Sequence, residues 1–126
     1  GGRNGDGQSE FAVKRPGGAK PIHELLVQHN VSIVFHGHDH LFAKEELDGI
    51  TYQCVPQPSH SRGGTRTAAE YGYKDGVILG SSGHIRVTVS PVAAKVDYVK
   101  SILPGAESNG RKNGMTAHSY NINSKQ

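Results

Sequence analysis

The chain has 126 residues, of which 34% are hydrophobic, 17 are glycine and none is tryptophan. This length is typical of one small domain, but the composition predicts only a thin hydrophobic core. The formal net charge of +3 suits an anionic substrate and is too weak to indicate a nucleic-acid-binding protein. No apolar segment is long enough to span a membrane. The single cysteine, Cys54, excludes an internal disulfide and is expected to be a buried, unreactive thiol.

The N-terminal part of the chain predicts a loop followed by one helix. Residues 1–19 are rich in glycine and poor in apolar side chains, so a flexible loop is expected there. A helix is expected to begin near Lys20 and to end near Asn30. The apolar residues between them recur with the spacing of a helix that lies on a sheet.

An apolar run that ends in histidines comes next. Residues 31–35 are β-branched and aromatic, which favours a strand buried on both faces. The strand is followed by three histidines on alternate positions, which are His36, His38 and His40. In an extended backbone His38 and His40 direct their rings to one point, with Asp39 turned away. Gly37 lets the chain bend there, and neutral imidazole suits zinc, iron or manganese. The sequence therefore predicts a metal-binding loop.

A β-hairpin is predicted directly after this loop. Asp48 and Gly49 are a strong turn signal between two strand-like segments, residues 42–47 and 50–55. Two prolines then end the pairing, because proline cannot donate a backbone hydrogen bond. His60 follows them and lies within possible reach of the metal-binding loop.

The rest of the chain predicts one more hairpin between irregular segments. Residues 61–83 form a long stretch that either borders a phosphate-ester pocket or is a mobile surface loop. Its basic and aromatic residues are Arg62, Arg66, Tyr71, Tyr73 and Lys74. Residues 84–90 and 95–103 are expected to pair as antiparallel strands. The side chains expected to face inward from the first of these strands are Ile85, Val87 and Val89. Residues 104–126 are interpreted as an irregular tail.

The block Gly37-His38-Asp39-His40 resembles the final Gly-His-x-His block of the calcineurin-like metallophosphoesterases, which include the purple acid phosphatases. Residues 20–23, 47–50 and 55–58 also resemble the C-terminal part of bacterial members. The resemblance implies an α/β or α+β fold, namely the C-terminal portion of a four-layer αββα sandwich. That portion would occupy residues 20–103 and consist mostly of β-hairpins plus one helix.

The resemblance also implies a reaction and a site. Members of this family hydrolyse phosphate esters with two divalent or trivalent ions, iron, zinc or manganese, bridged by a hydroxide. Carried over to this sequence, His38 ligates one ion and His40 the other. No catalytic residue other than these ligands is identifiable. Three further residues are candidates for supporting the ligands or contacting the substrate, and these are His36, Asp39 and His60.

The family's remaining metal ligands are absent from the 126 residues. Its site also needs an Asp-x-His block, a Gly-Asp block, a Gly-Asn-His block and a further histidine, none of which occurs here. A catalytic zinc alone takes about three protein ligands, so two histidines cannot hold two ions. We therefore expect a longer protein whose N-terminal half completes the domain and without which this part is inactive. No membrane or nucleic-acid partner is indicated, and the compartment stays open.

Two other interpretations stay open at this point. His38 and His40 followed by Glu45 resemble the first metal block of the cupin barrels, in which two histidines and a glutamate hold one ion. The glycine expected downstream is displaced, and no later Pro-x-Gly is followed by a histidine. The last alternative is a non-catalytic, β-rich interaction module whose histidines bind metal adventitiously.

Overall fold

The computed structural model describes residue 4, residues 6–60 and residues 63–125, and in these parts the chain is a mixed α+β fold. The helices are α1 Phe11–Lys14 and α2 Ile22–Gln28. The strands are β1 Ile33–His36, β2 Leu41–Leu47, β3 Ile50–Cys54, β4 Val77–Gly80, β5 Gly83–Val89, β6 Ala93–Lys100 and β7 Thr116–Asn123. They form a first sheet of order β1-β3-β2-β4 and a second sheet of order β5-β6-β7.

Helix α2 and strand β1 follow each other as the sequence predicts, but the predicted packing of the helix's apolar residues on the sheet is wrong, because no residue of α2 is buried and Ile22 and Leu25 are exposed. Strand β1 pairs in parallel with β3, and Phe35 lies opposite Gln53 in that register. The prediction that this strand is buried on both faces is wrong, because Phe35 is exposed. Strand β1 lies at the edge of the first sheet and pairs on one side only in the described residues. Within the described segments, neither helix has the length and apolar character needed to cross a bilayer.

The hairpin of β2 and β3 is confirmed and forms the centre of the core. Asp48 and Gly49 have φ angles of 49° and 74°, which a two-residue turn of the type favoured in hairpins requires. Both faces of the hairpin are buried. The side chains with no exposed surface are Ala43, Ile50 and Cys54 on one face and Phe42 and Gln53 on the other. Burial raises the pKa of Cys54, as expected for an unreactive thiol.

Aromatic side chains join the two sheets. The rings of Phe42 and Tyr98 stack with their centroids 4.8 Å apart. The Tyr120 hydroxyl on β7 donates to Gln53 Oε1 at 2.8 Å. The Gln53 amide in turn donates to the carbonyl oxygens of Ala43 and Cys54, so its buried polar atoms are satisfied.

Two predictions about irregular segments are wrong, because residues 61–83 contain strand β4 and residues 104–126 contain strand β7. The N-terminal segment predicted as a loop includes the single helical turn α1. Strands β4 and β7 each gain their partners only through pairing with distant strands, β2 and β6. Arg62 lies outside the described residues.

The second predicted hairpin is confirmed, but its inner face is only partly covered. Strands β5 and β6 pair antiparallel, and Ile85 lies opposite Tyr98, so the two side chains share the face toward the first sheet. Val87 and Val89 share that face and are nevertheless exposed. The first sheet leaves this end of the edge strand β5 uncovered.

Candidate metal centre

The histidine loop begins at the C-terminal end of β1 and leads into β2. The φ angles of His38 and His40 are 93° and 55°. The prediction that these residues are extended is therefore wrong, and so is the alternation derived from it. Gly37 lies outside the left-handed region, so the histidines themselves form the bend. A left-handed conformation costs a non-glycine residue about 1–2 kcal/mol, and such strain is concentrated at functional sites.

The ring of His38 is oriented by a carboxylate. Its side chain is 89% exposed, and its Nδ1 lies 3.1 Å from Oδ1 of Asp39. An ionised carboxylate can only accept hydrogen bonds, so Nδ1 donates and carries the proton. In the neutral ring, Nε2 is then unprotonated and points away from Asp39. This is the form of imidazole that binds metal ions.

The Asp39 carboxylate also accepts a hydrogen bond from a buried tyrosine. The Tyr73 hydroxyl donates to Asp39 Oδ2 at 2.6 Å. The sequence predicted that Asp39 turns away from the loop, and this is wrong. Asp39 instead links Tyr73 to His38. Burial raises the pKa of Asp39, but hydrogen bonds from Tyr73 and His38 outweigh it and the pKa is lowered overall. Burial and the nearby Asp39 raise the pKa of Tyr73, which keeps the hydroxyl protonated.

His36 packs beside this tyrosine. The two rings lie nearly parallel, at 9°, with centroids 6.4 Å apart. Burial lowers the pKa of His36, so its ring is neutral at pH 7. Tyr73 also belongs to the core cluster that includes Cys54. His36 thus packs against the tyrosine that bonds to Asp39, and whether it supports the ligands or contacts the substrate stays a prediction.

The two other candidate histidines differ in placement. His40 is exposed at the end of the loop, and its carbonyl oxygen accepts a hydrogen bond from the Ser81 hydroxyl at 2.6 Å. His60 is exposed as well, and its backbone amide and carbonyl both bond to the Ser82 hydroxyl. In the described parts of the chain, the His60 side chain makes no hydrogen bond to the loop.

The donor set of the loop fits part of a metal site. The described residues contain no group of three or more histidine, cysteine, aspartate or glutamate side chains that could hold an ion. Two exposed imidazoles, one of them with its Nε2 directed outward, match two ligands of a larger set. Glu45 lies on β2 opposite Tyr52 and forms no such group with the histidines.

Sequence reasoning missed the role of Tyr73. The histidines and Asp39 are adjacent along the chain, whereas Tyr73 is 34 residues from Asp39. No local pattern connects the two positions. The only signal was that Tyr73 is an aromatic residue in a long segment with little regular structure.

No protein-family model matches this chain, and no curated protein is significantly similar to it.

Proposed function

We propose that this chain is the C-terminal part of a calcineurin-like metallophosphoesterase in which His38 and His40 each ligate one of two metal ions. The observation that carries the proposal is the strained turn of residues 37–40 at the end of β1. Its two histidines are exposed, and Asp39 directs the Nε2 atom of His38 outward. Ligands gather beyond the C-terminal ends of strands in sheets built from α/β steps.

In this proposal the residues of the loop hold and orient the ions. The bound pair would supply a hydroxide nucleophile near neutral pH and stabilise the phosphoryl oxygens. His38 binds through Nε2, while its Nδ1–H to Asp39 fixes the ring and increases its basicity. His40 binds from the far end of the turn, where the Ser81 hydroxyl restrains its backbone. Neither ring acts as an acid or a base while its nitrogen is bound to metal.

Uncovered surfaces support the expectation that a further segment completes the domain. Strand β1 pairs with β3 along one edge, and no strand pairs with its other edge in the described residues. Phe35 on this strand and Val89 on β5 are exposed apolar side chains. Proteins normally cover strand edges and apolar faces of this kind. An N-terminal half that adds strands beside β1 would also bring the remaining ligands to the loop.

The layer arrangement supports the same class of fold. On one face of the first sheet, His23 of α2 lies 2.7 Å from the Tyr52 hydroxyl of β3. The second sheet packs on the opposite face through Phe42 and Tyr98. A helix and two sheets in this order match the order of three layers in an αββα sandwich, although no residue of the helix is buried and its Ile22 and Leu25 are exposed. The N-terminal half would supply the fourth.

A zinc titration of the 126-residue chain tests the proposal. We expect Zn²⁺ to bind only weakly at the loop, because two ligands of a larger set are present, and the double variant His38→Ala, His40→Ala to lose that binding. The matched control is His29→Ala with His84→Ala, which removes two exposed histidines outside the loop and should leave the affinity unchanged. Nuclear magnetic resonance of ¹⁵N-labelled histidines reports which rings respond. Undiminished zinc affinity in the loop variant would contradict the proposal.

A second measurement tests the reaction itself. The longer protein that contains this chain should hydrolyse an aryl phosphate ester when it is loaded with metal, and residues 1–126 alone should not. Robust hydrolysis by residues 1–126 alone would contradict the proposal that His38 and His40 belong to a site that a further segment completes. A longer protein that binds metal and hydrolyses no phosphate ester would refute the reaction class.

A further inference from the structure

We infer that Tyr73 is a positioning residue that acts through Asp39 to hold His38 in the form that binds metal. The inference rests on the proposed function, since it concerns a ligand of the proposed site. It assigns a role to a residue that no motif includes.

The position of the Tyr73 hydroxyl is fixed by the core of the protein. The side chain is 8% exposed and packs in a cluster with Leu41, Ala43, Cys54 and Ala68. The Tyr73 backbone amide donates to the carbonyl oxygen of Ala68 at 2.9 Å, which closes the turn that carries the ring. The hydroxyl is therefore held by the packed interior and not by the histidine loop.

The ring of Tyr73 also connects the interior to strand β1. The His36 ring lies parallel to it, and His36 is the last residue of β1 before the loop. The tyrosine thus contacts the residue at which the loop begins and the carboxylate in its middle. Movement of the loop relative to the sheet would break the 2.6 Å bond between Tyr73 and Asp39.

The two oxygens of Asp39 divide their partners between the interior and the surface. Oδ2 accepts from Tyr73, and Oδ1 accepts from Nδ1 of His38. The hydrogen bond from Tyr73 fixes the orientation of the Asp39 carboxylate. Oδ1 can therefore accept a hydrogen bond from His38 in one direction only. The His38 ring is otherwise exposed, and in the described residues it has no other hydrogen-bond partner. Without Tyr73, the carboxylate rotates and the proton on His38 is free to occupy either nitrogen.

The test compares Tyr73→Phe with Tyr71→Phe in the 126-residue chain. Both variants remove one hydroxyl from the same segment and keep the ring, but Tyr71 is 52% exposed and its hydroxyl has no hydrogen-bond partner among the described residues. Long-range ¹H–¹⁵N spectra of the metal-free chain report which nitrogen of His38 carries the proton. We expect Nδ1–H in the wild type and in Tyr71→Phe, and a mixture of both forms in Tyr73→Phe.

The zinc affinity measured at His38 gives the second readout. Loss of a residue that orients a ligand typically weakens metal binding by about 10–100-fold, and we expect Tyr73→Phe to fall near the lower value. Asp39→Asn provides an independent variant, because Asp39 lies in the loop and outside the packed cluster. It should also shift the proton of His38 away from Nδ1, since the amide nitrogen can donate to that atom.

The outcomes separate this inference from the proposed function. An unchanged protonation pattern of His38 in Tyr73→Phe overturns the inference, even if zinc still binds and even if Asp39→Asn changes the pattern. A changed pattern together with weaker zinc binding supports it. A longer protein that contains this chain and binds no metal at His38 and His40 overturns the proposed function and this inference with it.

Discussion

The second sheet and the histidine loop each contain an aspartate with a lowered pKa, but the two aspartates have different surroundings. Asp97 on β6 is 2% exposed and accepts hydrogen bonds from three side chains. These are Ser119 Oγ at 2.7 Å, Arg86 Nη2 at 2.9 Å and Lys95 Nζ at 3.1 Å. Its partners come from all three strands of the sheet. A carboxylate with all of its partners supplied locally serves to hold strands together.

Asp39 instead connects the interior with an exposed ring. It accepts one hydrogen bond from the buried Tyr73 and one from His38, whose Nε2 has no partner in the described residues. The network therefore ends on an unused ligand atom at the surface. The comparison indicates that an aspartate with a lowered pKa marks a candidate site only when its hydrogen-bond network reaches an exposed side chain with an unused ligand atom.

The largest effect is expected from breaking the contact between the sheets. Phe42→Ala removes a fully buried ring that stacks on Tyr98, so the free energy of unfolding should fall by about 3–5 kcal/mol. Denaturant titration measures the loss. The control Phe35→Ala removes the same side chain from the exposed edge of β1 and should cost much less. Equal losses would mean that the first sheet is covered at β1 after all.

A smaller effect should distinguish Asp97 from Asp39 through the pH dependence of the free energy of unfolding. Hydrogen bonds from Ser119, Arg86 and Lys95 lower the pKa of Asp97 in the folded state. Its contribution is therefore present above the unfolded pKa of about 3.9 and is lost as the pH falls from there toward the lowered value. Asp97→Asn should reduce stability at neutral pH and flatten this acid dependence. The exposed Asp75→Asn serves as control, and an acid dependence that persists in Asp97→Asn would assign it to another group.

The smallest effect should have the opposite sign and lie in the loop. His38 has a φ angle of 93°, which glycine adopts without strain, so His38→Gly should increase the free energy of unfolding by up to about 1 kcal/mol. The same variant should lose zinc binding. His29 has a φ angle of −98°, so His29→Gly gains nothing from this change and serves as control. A loss of stability in His38→Gly would show that the loop conformation is not strained.

The sequence predicted those parts of the fold whose signals are local. Asp48 and Gly49 identified the central hairpin because their turn requires positive φ angles at adjacent positions. Strand β4 was missed because its four residues follow a segment rich in turn residues, and β7 because only one large aliphatic residue, Ile122, occurs among its alternating side chains. Each becomes a strand only when a distant strand supplies its hydrogen bonds.

The candidate site divides in the same way. His38, Asp39 and His40 were recognisable as neighbours in one short block. Their backbone angles and the direction of Asp39 were not, because the alternation of an extended strand was applied to a turn. Tyr73 could not be found from sequence, since only the packed core brings it to Asp39.

The hydrogen bond between Tyr120 and Gln53 has a consequence for how the chain folds during synthesis. The two residues are 67 positions apart, so the amide oxygen in the middle of the first sheet must remain hydrated until nearly all of the described chain has left the ribosome. A nascent chain that lacks β7 leaves Phe42 of β2 without its contact to His118 and is a candidate for chaperone binding. We expect the sheet beneath the histidines to become rigid only after translation has passed Tyr120.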